Sequence, residues 1–279
     1  NIIMSILVSK YLNEKDEDIT IINKTKSFDN TYNLEDYDIR IRLSKENKVT
    51  KSELTKLTNI DDKESKKILF RYKNRYSVIV ENNSDVEIRI DLTSVKQGNN
   101  INRLQKFNYN YELEIDFNKK KKLTAAKEKK YLDQLLDLVT HIKLVIQQSN
   151  YIISKTKSQS ILNVYNKLIY GEENTKYKSL YVMPSTSLEV LHIVDYLPNK
   201  YSISDKADGE HHIGIIYENE LYLINSNLLV KRTGIKLDKK LSKYNNTLID
   251  GEYLYNSEHG KYMFLCFDIL FLSGEDIRN

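Results

Sequence analysis

Glu87-Ile88-Arg89-Ile90-Asp91-Leu92-Thr93 alternates strictly between polar or charged residues and aliphatic ones. A period of two is that of a β-strand, whose side chains point to opposite faces in turn. The same alternation recurs on both sides. Upstream lie Asp38-Ile39-Arg40-Ile41-Arg42-Leu43 and Phe70-Arg71-Tyr72-Lys73-Asn74-Arg75-Tyr76-Ser77. Downstream lies Tyr111-Glu112-Leu113-Glu114-Ile115-Asp116. Turn residues separate these runs, so the text from Ile19 to Phe117 reads as a strand-rich domain. A short helix is expected at Ser52–Leu57, and residues 1–13 read as an amphipathic helix.

The polar faces of these strands are charged and sorted. Arg71, Lys73 and Arg75 share one face of one strand; Arg89, Asp91 and Thr93 share a face of the next. Glu112 and Glu114 share a face of a third, and Arg40 and Arg42 do so earlier. Two arrangements accommodate this pattern. One is an open sheet with a solvated outer face. The other is a closed barrel with a polar interior, where carboxylates bind a hard divalent cation and basic groups neutralise a polyphosphate.

Beyond these strands the period changes. Lys119–Lys122 read as a solvated basic loop. Leu132, Leu135, Leu136, Val139, Ile142 and Ile146 recur at helical spacing, which predicts a long helix over Ala125–Ser154. A shorter helix is expected at Gln159–Tyr170. From Tyr181 onward, short strands return at His212–Tyr217, Leu221–Ile224, Asn246–Asp250 and Tyr262–Phe271. The expected layout is α+β: an antiparallel domain over residues 1–122, a helical connector over 123–175, and a second antiparallel domain over 176–279.

Within the second domain, Lys206-Ala207-Asp208-Gly209-Glu210 has the shape of a nucleotidyl-transfer nucleophile. A lysine amine attacks an α-phosphate once deprotonated, and cationic neighbours depress its pKa. A surface lysine followed by a turn-forming Asp-Gly has the same spelling.

Composition narrows the classes. The 279 residues are 40% hydrophobic and 29% charged, a globular rather than disordered balance. The net charge of +4 permits a nucleic-acid or nucleotide partner. Cys266 is the single cysteine, which excludes an intrachain disulfide and disfavours a Cys/His zinc site. His211 and His212 are adjacent on an expected strand and point to opposite faces. No signal peptide or apolar run of membrane-spanning length is visible, and no membrane partner is expected. The chain starts without Met inside an apolar segment and ends abruptly at Asn279, as a piece of a longer polypeptide would.

The order Arg71-x-Lys73-x-Arg75, then Arg89-x-Asp91-x-Thr93, then Tyr111-Glu112-x-Glu114 resembles the tunnel-type, metal-dependent RNA 5′-triphosphatases of fungal and DNA-virus capping enzymes. The resemblance implies a barrel-shaped triphosphate tunnel. It implies that Glu112 and Glu114 are ligands of Mg2+ or Mn2+, and that Arg71, Lys73, Arg75 and Arg89 contact phosphates. Asp91 would orient a basic residue or the attacking water. The family carries a second Glu-x-Glu on its first strand. None fits upstream of residue 38, Glu14 and Glu17 included, so that strand is expected before Asn1.

Lys206-x-Asp208-Gly209, then Asp250-Gly251-Glu252, then Tyr262–Phe271 containing Asp268 resemble motifs I, III and IIIa of the covalent nucleotidyltransferases. By that resemblance Lys206 carries the nucleotide, and Asp208, Gly209, Glu252 and Asp268 line a GTP site. Arg232, with Lys231 beside it, stands where the superfamily often has a nucleotide-touching base. His211 stands where many members have Arg, and motifs IV to VI would lie beyond Asn279.

The two resemblances in series imply the large subunit of an mRNA-capping enzyme of the DNA-virus or cytoplasmic-plasmid type. Its substrates would be 5′-triphosphate RNA and GTP. A small accessory subunit and a cap methyltransferase domain would accompany it in a viral factory, a virion or a cytoplasmic plasmid system. Two rivals remain: an ATP-dependent polynucleotide ligase, and a non-catalytic fragment that binds RNA ends or a partner.

Overall fold

The computed structural model describes residues 22–49, 69–171, 179–183, 187, 189–191 and 206–278. The helices expected at residues 1–13 and Ser52–Leu57 lie outside these residues, as do Glu14 and Glu17. The chain divides into two compact units. One comprises residues 1–32 and 41–132, the other residues 33–40 and 133–279.

β1 (Ile22–Leu34) pairs with β2 (Ile39–Lys48), and the tip of this hairpin, residues 33–40, belongs to the second unit while the rest belongs to the first. A separate three-stranded sheet joins β3 (Phe70–Asn82), β4 (Val86–Gly98) and β5 (Asn110–Lys119), with β4 central and both pairings antiparallel. The register places Arg75 opposite Thr93 and Thr93 opposite Glu112, and it aligns Ser77, Asp91 and Glu114 in the next row. The sorted charges of β3, β4 and β5 therefore share one face of one sheet, while Arg40 and Arg42 lie on β2 in the separate hairpin sheet. The closed barrel is not formed among the described residues. Closure needs hydrogen-bonded partners for the outer edges of β3 and β5, and no described strand pairs with either.

The Lys119–Lys122 run is anchored rather than simply solvated. Lys119 pairs with Glu128, Lys120 donates to the Asn83 carbonyl, and Lys121 pairs with Asp85 at the β3–β4 turn. Helix α1 (Ala125–Ile146) adds Lys127 to the same Asp85 carboxylate. The hydrogen bonds from Lys121 and Lys127 pull the Asp85 pKa down to about 2.

α1 is shorter than the expected Ala125–Ser154. It stops at Ile146 because Gln148 takes a positive φ of 47°, and because the Gln147 side chain bonds both the N–H and the carbonyl of Ile153. The second helix consequently begins earlier than expected. α2 (Lys155–Tyr170) is capped by Ser154, whose hydroxyl accepts from Lys157 N–H, and is closed by left-handed Gly171. The β1–β2 turn adds to its start: the Asp36 carboxylate accepts from both the N–H and the hydroxyl of Thr156.

The second unit is built on a six-stranded antiparallel sheet in the order β11-β10-β9-β6-β7-β8. Its strands are β6 (Glu210–Tyr217), β7 (Glu220–Asn225), β8 (Val230–Lys236), β9 (Leu248–Asn256), β10 (Lys261–Leu272) and β11 (Glu275–Asp276). Ile161, Leu162, Tyr165 and Ile169 fall on one stripe of α2 and bury against Ile213, Ile215, Ile224, Leu248 and Leu270. The architecture is α+β with antiparallel sheets.

Asp85 gives a test of how α1 is held to the β3–β4 turn. Its folded pKa lies below the ordinary carboxylate value, so its contribution is complete above about pH 4 and disappears as pH falls toward its folded pKa of about 2. Asp85→Asn should lower the melting temperature at pH 7, and the gap from wild type should close on titration toward pH 2. A gap independent of pH would contradict the assignment.

Candidate active sites

Asp91 is the centre of the charged face. It sits on the middle strand with none of its surface exposed. Arg75 Nη1 donates to Asp91 Oδ2 at 2.8 Å, and Ser77 Oγ donates to Oδ1 at 2.6 Å. Arg89 Nε lies 3.0 Å from Oδ1 as an ion pair, although its N–H is not aligned for a hydrogen bond. Burial by itself raises the pKa of Asp91. The Ser77 hydroxyl and the two guanidiniums outweigh burial and hold the carboxyl below its usual range.

The same arginines reach outward to β5. Arg75 Nη2 lies 3.3 Å from Glu114, Arg89 Nη2 lies 2.8 Å from Asp116, and Arg71 pairs with Glu112. The hydrogen bond from Arg89 to Asp116 raises the arginine's pKa. Each candidate phosphate-binding arginine is thus paired with a carboxylate. Lys73 differs: it has no ion-pair partner among the described residues. Ser77 and Asp116, not singled out from sequence, complete the network. Strand alternation alone could have found both.

Glu112 and Glu114 can be tested as metal ligands on this geometry. Glu112 Oε2 is buried and has no hydrogen-bond partner. An orphaned carboxylate oxygen beside a second carboxylate fits a hard cation that takes oxygen donors. No group of three or more His, Cys, Asp or Glu suited to a metal occurs among the described residues. Glu112 and Glu114 therefore fit as two donors of a larger set that water and phosphate would complete.

The lysine site lies at the start of β6. Lys206 is highly exposed, with 84% of its side chain accessible, and Nζ lies 2.8 Å from Asp208 Oδ1. The Asp208 hydrogen bond and charge raise the lysine's pKa. Its setting is acidic, the opposite of one that depresses a lysine pKa. The nearest charges are acidic, because Asp208 and Glu252 both lie at this turn. Gly209 N–H donates to Glu252 Oε2 at 2.8 Å, which joins the lysine turn to the Asp250-Gly251-Glu252 strand. A Cβ on Gly209 would come within 2.9 Å of the Tyr253 carbonyl, so glycine permits this close approach. His211 Nε2 lies 2.6 Å from buried Asp250 Oδ1.

The remaining candidates are more dispersed. Arg232 is held by Glu220 through two contacts, from Nε at 2.7 Å and from Nη2 at 3.2 Å, so its guanidinium is already committed. Asp268 accepts from the Ile269 N–H at 2.7 Å, a local bond on its own strand. Glu252 pairs with His211 and Leu265, on the face that α2 covers. Tyr253 and Glu210 belong to the opposite face. That face carries a cleft of about 1080 Å3, which reaches Asp208 and Gly209 and contains Lys231, Tyr253 and Tyr262.

Guanidiniums and carboxylates sorted on one sheet, and a lysine turn braced by a strand-end glutamate, are carried by an α+β protein of antiparallel sheets. Comparison with known proteins makes that class specific. Residues 5–159 match the family described as mRNA capping enzyme, beta chain, and the chain belongs to that family. It is 30% identical over 280 aligned positions to a probable mRNA-capping enzyme of Acanthamoeba polyphaga mimivirus, covering 97% of this chain and 22% of the relative. It is 29% identical over 172 positions to an mRNA-capping enzyme of African swine fever virus, covering 60% of this chain and 18% of the relative. The chain thus spans about a fifth of the length of these relatives. No described helix is long and apolar enough to cross a membrane.

Removing Arg75 should expose the cost of the buried carboxylate. Arg75→Ala leaves Asp91 short of a charged hydrogen bond, a loss of about 1–3 kcal/mol. Urea unfolding of the two proteins measures it. The conservative Arg75→Lys should recover only part of the loss, because an ammonium cannot reach Asp91, Thr93 and Glu114 together.

Proposed function

We propose that this chain serves mRNA 5′ capping. Its first unit would remove the γ-phosphate of a triphosphate RNA end, and its second would accept GMP from GTP on Lys206 for transfer to the diphosphate end. The observation that carries the reading is the charge-sorted face of β3–β4–β5 in a member of the capping-enzyme family. That face is the wall of a polar triphosphate tunnel in this reading.

On the wall, a triphosphate competes for the guanidiniums that now hold carboxylates. Arg71 and Arg75 turn from Glu112 and Glu114 to phosphate oxygens, and Lys73 joins them without breaking an ion pair. Glu112 and Glu114 are thereby released to hold Mg2+ or Mn2+, which when bound supplies charge neutralisation at the γ-phosphate and activation of water. Asp91 keeps Arg75 and Arg89 in position throughout, since its own carboxylate is too buried to meet substrate.

At the second site Lys206 is the nucleophile. In this state Asp208 keeps the amine protonated, so attack on the α-phosphate of GTP requires the proton to leave Nζ. The proton leaves Nζ, by way of solvent, as the α-phosphate is attacked and pyrophosphate departs, while Asp208 Oδ1, 2.8 Å away, orients the amine; its own pKa is lowered by the lysine, so it is a weak base. Glu252 fixes the turn through Gly209 and is available to a ribose hydroxyl. Asp268, opposite Asp250 in the β9–β10 pairing, would join this site, and Arg232 would serve it only if released from Glu220. The setting that fits is the cytoplasm of an infected cell or a virion, with an accessory subunit and a cap methyltransferase as partners.

Incubation with α-labelled GTP or ATP and Mn2+ tests the second half. The expected result is a labelled protein from GTP alone, lost in Lys206→Ala and at least about tenfold reduced in Glu252→Ala. Labelling from ATP alone would support a ligase and contradict the reading. Retention of label in Lys206→Ala would remove the lysine from the chemistry.

A further inference from the structure

The cleft on the Tyr253 face of the six-stranded sheet is separate from the face that carries Glu252. Its floor holds an ordered pile of rings. Tyr253 and Tyr262 are stacked with centroids 5.1 Å apart and planes 4° from parallel. Tyr255 meets Tyr262 edge-on at 5.1 Å. Lys231 Nζ lies 4.1 Å from the Tyr253 ring centroid, and the buried His212 ring, 5.3 Å away, helps to wedge Tyr253 in place. Tyr262 and Tyr255 remain 62% and 55% exposed.

We infer that this cleft is a binding track for single-stranded RNA, in which bases stack on Tyr262 and Tyr255 and Lys231 and Lys261 offset the backbone charge. A pile of parallel rings ending in exposed tyrosine extends naturally by one more aromatic plane, and every base offers one. Lys261 starts from β10 and Lys231 from β8, with β9, β6 and β7 between those strands, so the cations come from opposite sides of the cleft, which suits a chain of single phosphates. Asp208 and Glu210 lie in the same cleft and oppose a dense triphosphate, so a free nucleotide is a poorer occupant than a strand. The cleft also reaches Gly209, so a strand seated there runs to the Lys206 turn. The inference does not depend on chemistry at that lysine.

A 3′-labelled oligouridylate with a 5′-hydroxyl end tests the track without engaging a triphosphate site. Fluorescence anisotropy should show binding to the full chain. Tyr255→Ala/Tyr262→Ala should weaken it at least about fivefold, as expected for loss of base stacking. Tyr262→Phe, which keeps the ring, should bind like wild type. Crosslinking of 4-thiouridine in the same oligonucleotide should label the segment containing Tyr253 to Tyr262, which distinguishes contact from a folding effect. Absence of binding, undiminished binding by the double variant, or displacement by UMP at oligonucleotide-like concentrations would each overturn the inference.

Discussion

A fully buried carboxylate in the middle of an ionic face is the constraint on which the first unit turns. Asp91 cannot be ionised there without partners, because desolvation of an unpaired carboxylate costs several kcal/mol or more. Arg75, Arg89 and Ser77 supply those partners. Once fixed by Asp91, the two arginines have their remaining N–H groups directed across to β5, where they meet Glu114 and Asp116. The charged face is therefore a single network rather than a collection of surface pairs. Its outer members are half-exposed and exchangeable, while its centre is not.

That division between a fixed centre and exchangeable rim is what a phosphate site requires. Guanidiniums held at the correct spacing by a buried anion need little reorganisation to accept phosphate oxygens. In the proposed exchange, the carboxylates they now hold would become free at the same moment. Membership of the mRNA-capping-enzyme beta-chain family supports this proposal for the wall.

Much of the fold was legible because strand alternation is a strong signal when one face is charged. Arg71, Lys73, Arg75, Arg89, Asp91, Thr93, Glu112 and Glu114 were assigned to one set of faces from spacing, and the register places them on one sheet. Pairing partners were not legible, because Ser77 and Asp116 have unremarkable spellings and matter only through cross-strand neighbours. The end of α1 was misplaced because apolar spacing continues past Ile146, whereas a left-handed Gln148 and the Gln147 side chain stop the helix. At the lysine turn, sequence located Lys206, Asp208, Gly209 and Glu252 together but not the sign of their electrostatics. Arg232 looked available until Glu220, a dozen positions away, was brought beside it by the β7–β8 pairing. The tyrosine pile was invisible for the same reason, since Tyr253 and Tyr262 belong to two strands that only the fold aligns.

The central claim is that the β3–β4–β5 face exchanges its internal ion pairs for phosphate and metal. Calorimetric titration with inorganic tripolyphosphate, with and without Mn2+, tests it most directly. The account predicts binding that tightens when Mn2+ is present, with affinity reduced roughly tenfold by Lys73→Ala and the Mn2+ dependence abolished by Glu112→Gln/Glu114→Gln. Tripolyphosphate binding that is indifferent to Mn2+ and unchanged in Lys73→Ala, or no binding at all, would contradict it.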